Sequence, residues 1–442
     1  MILPWLDMGG ADKFNLDLAE QLTDRGFAIT ICTTRESDNS WLPHFTEVTP
    51  DIFTRDNSPD LADYPKFLVE LIDSRKIDVV LISNSTLGYE LLPYLRSRCT
   101  GVTFVDYNHI WEEYWRDGGH PRSAVDYQDL LDLNIVSNRD LKKRMVREGA
   151  DASRIEVCYT NIDAERWNPA KYPRSEIRRA LAVPEGEPLI LFAGRLSAQK
   201  RPQLLATILH ELARENLRFR CVVAGAGPEQ RFLQLFILRH GLRGRVRLVG
   251  GVGNERIREL MAAADIFLLP SYWEGIALTL FEAMAMEVVP VSADVGGQRE
   301  LVTTECGFLV HRGEDELQEY VSVLKCLIES PEERAAMGAA GRQRILEHFT
   351  IDRMGDRMVE LLETARDLAR TRPRPEASTG MNLRPAVLPD EEAPAASGIR
   401  ATRLWRLGQR AADTPPGWVA YQAMLWLARK LGFRADETAA VS

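Results

Sequence analysis

The chain has 442 residues, 45% of them hydrophobic and 27% charged, with a formal net charge of −9. That length suits two or three domains with more than one core, and the composition excludes disorder of the whole. The negative balance excludes a general nucleic-acid binder, which carries a basic footprint.

A short apolar strand is expected at 2–6, running into the loop LDMGG and a helix over 12–25. The start MILPWLDMGG shows no charged leader segment or cleavage signature and does not read as a signal peptide. Further strands are expected at 28–33, 79–83, 102–107, 133–137 and 155–158, with a helix over 64–74. Short apolar runs alternating with helical patterns indicate parallel α/β sheets. After the fourth of these strands comes FVDYNHIWEEYWRDGGH, which places His109 just past a strand end and His120 after two glycines.

This rhythm defines a first domain over 1–166. The span 167–188, with Pro169, Pro173, Pro184 and many charges, is expected to be an interdomain linker. A second domain over 189–350 restarts the pattern with strands at 189–193, 221–224, 246–249, 266–269, 288–291 and 308–310. Helices are expected over 202–215, 230–240, 254–264, 279–285, 314–329 and 331–349. A last helix, 351–370, has the option of crossing back to the first domain. The stretch 371–398 is rich in Pro, Ala and Glu without periodicity and is expected to be a flexible linker.

The tail 399–442 differs again. Its part 399–434 carries seven Arg or Lys against Asp413, with Trp405, Trp418 and Trp426, and Pro415-Pro416-Gly417 splits it into two short helices. Such a hairpin can lie on an anionic membrane surface or pack on its own protein or a partner; both readings stay open. No run of 18 apolar residues is present. The six cysteines are scattered and show no zinc spacing, so a reduced, cytoplasmic compartment is expected.

Chemistry concentrates in the second half. LILFAGRLSAQKRP ends a strand at Gly194 and puts Arg195 and Lys200 on the following turn, with Pro202 opening a helix. Two permanent cations thus stand at the carboxyl edge of a parallel sheet, where α/β folds bind ligands. VVAGAGPEQ repeats strand, Gly225, Gly227 and helix, a turn that lets backbone approach a bound group. It is not a GxGxxG fingerprint and no acidic residue is placed for a dinucleotide, so hydride transfer is disfavoured. PSYWEGIALTLFEAMA then sets Glu274 and Glu282 on either side of a loop-to-helix junction. The first N–H groups of that helix face an anion by default. A capped helix with a solvated Glu would account for this element alone.

In order, GRLSAQK, AGAGPE, VGGV, AAADIFLLPSYWEG, FEAMA, VGGQREL and CGFLV make a specific series. The chain here resembles the retaining glycosyltransferases of family 4, the large family that includes sucrose synthase and bacterial mannosyl- and glucosyltransferases. The resemblance spans about 1–363 and is strongest over 189–310. It implies the GT-B fold: two facing Rossmann-like domains, with a nucleoside-diphosphate sugar held mainly by the second. It further implies Arg195 and Lys200 on the diphosphate, Glu274 beside the transferred sugar and Glu282 on the ribose. The backbone of Gly275, Ile276, Ala277 and Leu278 would meet the sugar and distal phosphate, and Gly225, Gly250 and Gly251 would border the nucleotide. Where the family has an aromatic and then Gly or Pro after Glu-Gly, this chain has Ile276-Ala277.

In the first half, LDMGGADKFNLDLAEQL is similar to the family's glycine-rich loop, which places Gly9 and Gly10 near the donor phosphates and the acceptor. The resemblance implies that His109 faces the transferred sugar; no family motif claims His120. The crowd Trp111, Glu112, Glu113, Tyr114 and Trp115 is either an acceptor platform or a loop packed on its own domain. With cations and helix N–H groups to stabilise a leaving diphosphate, and no DxD-like pair, no metal and no cofactor are expected. The expectation is a hexose transferred from a UDP- or GDP-type donor to a glycan or glycolipid acceptor. A sugar-nucleotide epimerase of the same fold, and a catalytically silent nucleotide-sugar-binding scaffold or sensor, are the alternatives.

Overall fold

The computed structural model describes residues 1–113 and 115–371. The expectations for the linker after residue 371 and for the basic tail 399–442 lie outside the described residues. The first sheet holds β1 (Ile2–Leu3), β2 (Ile31–Thr33), β3 (Ile52–Phe53), β4 (Val79–Ser83), β5 (Thr103–Asn108), β6 (Leu133–Val136) and β7 (Ile155–Val157). Its order is β3-β2-β1-β4-β5-β6-β7, all parallel. Around it lie α1 (Gly10–Asp24), α2 (Leu42–Val48), α3 (Tyr64–Arg75), α4 (Thr86–Arg98), α5 (His120–Asp126) and α6 (Arg139–Arg147).

The second unit runs α7 (Arg174–Ala180), β8 (Leu189–Ala193), α8 (Pro202–Arg214), β9 (Arg220–Ala224), α9 (Gln230–Arg239), β10 (Val246–Gly250) and α10 (Asn254–Ala263). It continues with β11 (Ile266–Leu269), α11 (Leu278–Ala285), β12 (Val289–Ala293), α12 (Gln298–Leu301), β13 (Phe308–Val310), α13 (Glu316–Glu329) and α14 (Pro331–His348). A final helix, α15, covers Ile351–Thr371. The second sheet is ordered β10-β9-β8-β11-β12-β13, again all parallel. The structure is therefore two Rossmann-like domains with parallel sheets. Strands such as β8, LILFA, are buried at every position, as a sheet covered on both faces requires.

Several bounds differ from the sequence expectation for identifiable reasons. β1 stops at Leu3 because Pro4 has no N–H to continue a ladder, although its carbonyl still accepts from Arg35 at 2.9 Å. β3 has two residues, too few to show a period.

The span 167–188 is not a free linker. It contains α7, and Trp167, Ile177 and Leu181 are buried in the second core. Arg174 donates to the carbonyls of Ala262 and Ala264, and Arg178 to that of Ala263, while both pair with Asp265. These arginines satisfy carbonyls left open where α10 ends. Their charge, read from sequence as part of an interdomain linker, is thus engaged by the second domain itself.

The chain crosses between domains near Cys158–Asn161 and again at Phe349–Ile351. The two crossings pair: Ile162 N–H donates to Phe349 O and Ile351 N–H to Ile162 O, each at 2.9 Å. Beyond the second crossing α15 lies on α1 and β5. Its Met354, Met358, Leu361 and Leu362 join Phe14, Leu18, Val105 and Tyr107 in one core.

Candidate active site

Each sheet reverses its strand order once, between β1 and β4 and between β8 and β11. Open α/β sheets take ligands outside the carboxyl ends of the strands at such a switch point. The loops that follow β8 and β11 carry Arg195, Lys200 and Glu274, so the second domain's charged residues stand at its switch point.

These two loops are fixed to each other. Tyr272 N–H donates to Gln199 O at 2.6 Å, and Gln199 Nε2 donates to Trp273 O at 3.0 Å. The Arg312 guanidinium lies 3.9 Å from the Tyr272 ring centre and also donates to the Tyr272 carbonyl at 3.0 Å. On this frame the Lys200 ammonium pairs with the Glu274 carboxylate, whose side chain is only 7% exposed. Arg195, one turn away, is exposed and forms no ion pair among the described residues.

The glycines beside them are required by close packing. Gly225 has φ +151°, and a Cβ there would overlap the Gly194 carbonyl oxygen. Its N–H donates to Gly250 O at 2.7 Å, which sets the ends of β9 and β10 side by side. Around Gly250 and Gly251 the surface is open; the nearest atom to a Cβ on Gly251 is the Ala226 methyl at 3.7 Å.

After Glu274 the backbone of Gly275, Ile276 and Ala277 leads into α11, whose Leu278 and Thr279 N–H groups have no intrahelical acceptor, while Leu280 N–H donates to Ala277 O at 2.9 Å. Glu282 lies on α11 and faces α1 of the other domain. Burial raises its carboxyl to about 7; Lys13 acts to lower it and Asp17 to raise it.

In the first domain Gly9 caps α1 in an extended conformation, and a Cβ there would lie 2.7 Å from the Asp12 carboxylate. Gly10 opens α1 with nothing within 4 Å of a Cβ position. His109 follows β5, its ring 5.1 Å from Phe14 and 4.8 Å from Tyr107 between centres. Its Nε2 is buried without a hydrogen-bond partner in the described structure, and burial lowers its pKa to about 3, so the imidazole is neutral at pH 7. His120 starts α5 with its ring 4.8 Å from Trp115; burial first, then Arg116 and His109, lower it to about 3 as well. Trp111 packs against the first core with Arg144 5.0 Å over its ring. For that residue the loop is packed on its own domain.

The domains meet through backbone. A Cβ on Gly275 would overlap the His109 carbonyl oxygen, and one on Gly297 would come within 2.7 Å of Asn138 Cβ. Gly297 N–H donates to Gly275 O at 2.7 Å. Beside this contact the Glu300 carboxylate accepts from the N–H groups of Arg139 at 3.0 Å and Asp140 at 2.9 Å, and from the Tyr159 hydroxyl at 2.8 Å. A second-domain carboxylate thereby caps the first turn of a first-domain helix.

The structure thus brings Lys200, Glu274 and Gly275 together, against the backbone of His109. Arg195 is exposed on the same loop as Lys200, whereas the Glu282 carboxylate is directed at α1. Asn138, Glu300 and Tyr159 were not singled out from sequence. Ser137-Asn138 ahead of Arg139-Asp140-Leu141 is a readable helix start, and the Asn138 side chain does accept from Leu141 N–H at 2.8 Å. Nothing in VGGQREL says that its glutamate caps a helix 160 positions away. Among the described residues no group of three or more His, Cys, Asp or Glu side chains is placed to hold a metal ion, and no helix is long and apolar enough to cross a membrane.

Comparison with known proteins places this geometry. A model of the glycosyl transferases group 1 matches residues 173–344, and one of glycosyltransferase family 4 matches residues 8–166. The D-inositol 3-phosphate glycosyltransferase of Nocardia farcinica is 30% identical over 375 residues, covering 75% of this chain and 80% of that protein. The α-maltose-1-phosphate synthase of Mycolicibacterium smegmatis is 28% identical over 251 residues, 54% of this chain. The chain spans 64% of that synthase and 52% of the inositol-phosphate enzyme of Xylanimonas cellulosilytica. The crystal structure of Anabaena HepE with UDP superposes with a TM-score of 0.69 at 22% identity, over 82% of this chain and 98% of that one.

Proposed function

Because the chain belongs to the group 1 glycosyltransferases of family 4, with the GT-B fold, we propose that it moves a hexose from a nucleoside-diphosphate sugar to a glycan or glycolipid acceptor with retention of configuration and without a divalent metal. The observation that carries this reading is the Lys200–Glu274 pair at the second sheet's switch point, with Arg195, which forms no ion pair among the described residues, on the loop of Lys200. Breaking the sugar–phosphate bond leaves negative charge on the diphosphate. Arg195, Lys200, the backbone N–H groups of Ile276 and Ala277 ahead of α11 and that of Leu278 at its start are preorganised positive charge for it. When the diphosphate takes up Lys200, the Glu274 carboxylate is released toward the sugar. Glu282 accepts from the ribose diol, and Gly9, Gly10, Gly225, Gly250 and Gly251 allow backbone to lie close to donor and acceptor. His109, neutral and with an unpartnered Nε2, serves the sugar from the first domain as a hydrogen-bonding group.

The Anabaena neighbour has been crystallised with UDP and with UDP-glucose, which supports a nucleotide-sugar donor; that the donor is of the UDP or GDP type is part of the proposal. Peripheral contact with an anionic membrane through 399–434 belongs to the same proposal; deleting that tail should then weaken sedimentation with anionic vesicles. The donor reading is tested by thermal shift with UDP, GDP and ADP sugars, followed by transfer assays of Lys200→Ala and Glu274→Ala. A matching nucleotide should raise the melting temperature of the wild type, and both variants should fold yet lose transfer. Full transfer by both variants sinks the proposal.

A further inference from the structure

A cavity of about 1130 Å³ lies away from the donor loops, between α6, the chain after β7 and the corner joining α14 to α15. Six cations line it: Arg139, Lys142, Lys143, Arg147, Arg353 and Arg357. Glu156 is the one carboxylate among its lining residues, and it is already engaged by Arg357 at 2.7 Å. Lys142 donates to the carbonyl of Ile155. Arg139, Lys143, Arg147 and Arg353 are exposed and form no ion pair among the described residues. In a protein of net charge −9 such a concentration of unneutralised cations calls for a cause.

Three of these four cations stand along one face of α6. Arg139, Lys143 and Arg147 follow each other at four-residue spacing on α6, the arrangement in which like charges repel on a helix face. Arg353 and Arg357 repeat that spacing on α15. Two short ladders of cations therefore bound one concave space. Arginine forks across phosphate oxygens and lysine adds a mobile point charge, so this set matches a ligand carrying at least two phosphate charges.

The position adds a second argument. The lining includes Tyr159 and Asn161 from the first interdomain crossing and His348 from the approach to the second. Arg139 and Lys143 also line a smaller neighbouring cavity of about 380 Å³ bounded by Gly296 and Glu300, behind the Glu274 loop. A ligand here would touch both chain crossings and the residues flanking the Glu300 cap.

We propose that this cavity is a second anion site, separate from the donor cleft, which binds a diphosphate or comparable multiply charged phosphate group at the hinge. The group is either a soluble phosphoanion or the phosphate headgroup of a lipid. Inorganic pyrophosphate is the probe, titrated calorimetrically into full-length protein carrying Arg195→Ala and Lys200→Ala to silence the cleft. Pyrophosphate should still bind, and adding Lys143→Glu with Arg353→Glu should weaken it at least tenfold; the milder Lys143→Ala with Arg353→Ala should weaken it less, with melting temperatures unchanged. Loss of binding on silencing the cleft alone, or a change under twofold on charge reversal in protein that remains folded, overturns the site. Sedimentation with phosphatidylglycerol vesicles then assigns the source. If the reversal weakens vesicle binding in parallel, the phosphate is a lipid's; if vesicle binding is unchanged, it is soluble.

Discussion

Gly275→Ala probes the contact between the domains directly. The residue has no left-handed φ, so alanine fits its backbone and the obstacle is entirely across the interface. The new methyl would overlap the His109 carbonyl oxygen and sit 3.3 Å from its carbon and 3.4 Å from Asn138 Nδ2. That carbonyl cannot retreat alone, because the Ser137 hydroxyl holds it at 2.7 Å and β5 is laddered to β6. Overpacking of this kind costs about 1–3 kcal/mol, and the cheapest relief is a partial opening of the two domains. If transfer requires the closed arrangement, kcat/KM should fall about 5- to 150-fold, at 1.36 kcal/mol per decade. On the proposed reading the nucleotide is held by the second domain, so nucleotide affinity should fall by less than kcat/KM does. Small-angle scattering should show a larger radius of gyration for the variant. A variant with wild-type kcat/KM and wild-type radius refutes the argument. Gly10→Ala, with nothing within 4 Å of the new Cβ, is the matched control and should melt no lower than wild type.

Removing one partner of the Lys200–Glu274 pair leaves a charge in a nearly closed site, so Lys200→Ala should cost on the order of 3 kcal/mol in urea unfolding. Adding Glu274→Gln should recover part of that loss, and strictly additive losses would argue against the pairing. Glu282 titrates near 7 in the folded protein against an ordinary 4.5. A raised carboxyl stabilises fully below its unfolded value and loses that contribution as pH rises through the folded one. The wild type should therefore lose stability between pH 4.5 and 7 relative to Glu282→Gln, and parallel pH profiles would remove the basis for this. Glu300→Ala should uncap α6 at a cost of about 1 kcal/mol, read as faster amide exchange at Arg139 and Asp140; unchanged protection there would count against the cap.

The alternation of strands and helices was legible because strands such as β4, β8 and β11 are almost wholly apolar runs; β5, TFVDYN, which buries Asp106 and Asn108, is an exception. LILFA, IFLL and VVLIS lie where they were expected, since burial on both faces leaves only Ser83 among them polar. The loops after β8 and β11 were legible through glycine, proline and charge. What stayed hidden is long-range pairing. Arg174 and Arg178 look like linker charges until Asp265 and the end of α10 are beside them. Glu300 looks like any helix glutamate until the N-terminus of α6 arrives from another domain. A carboxylate's partner across a cleft leaves no local pattern, whereas a buried strand does.

The return of α15 to the first domain has a consequence for synthesis on the ribosome. Domains generally complete in order of emergence, the amino-terminal one first. Here Phe14, Leu18 and Val105 share a core with Met354, Met358 and Leu361. The domain that is made first is therefore finished last. Until α15 leaves the exit tunnel, the part of the first sheet's face beside α1 stays uncovered, and the second domain has to fold while its predecessor is still waiting.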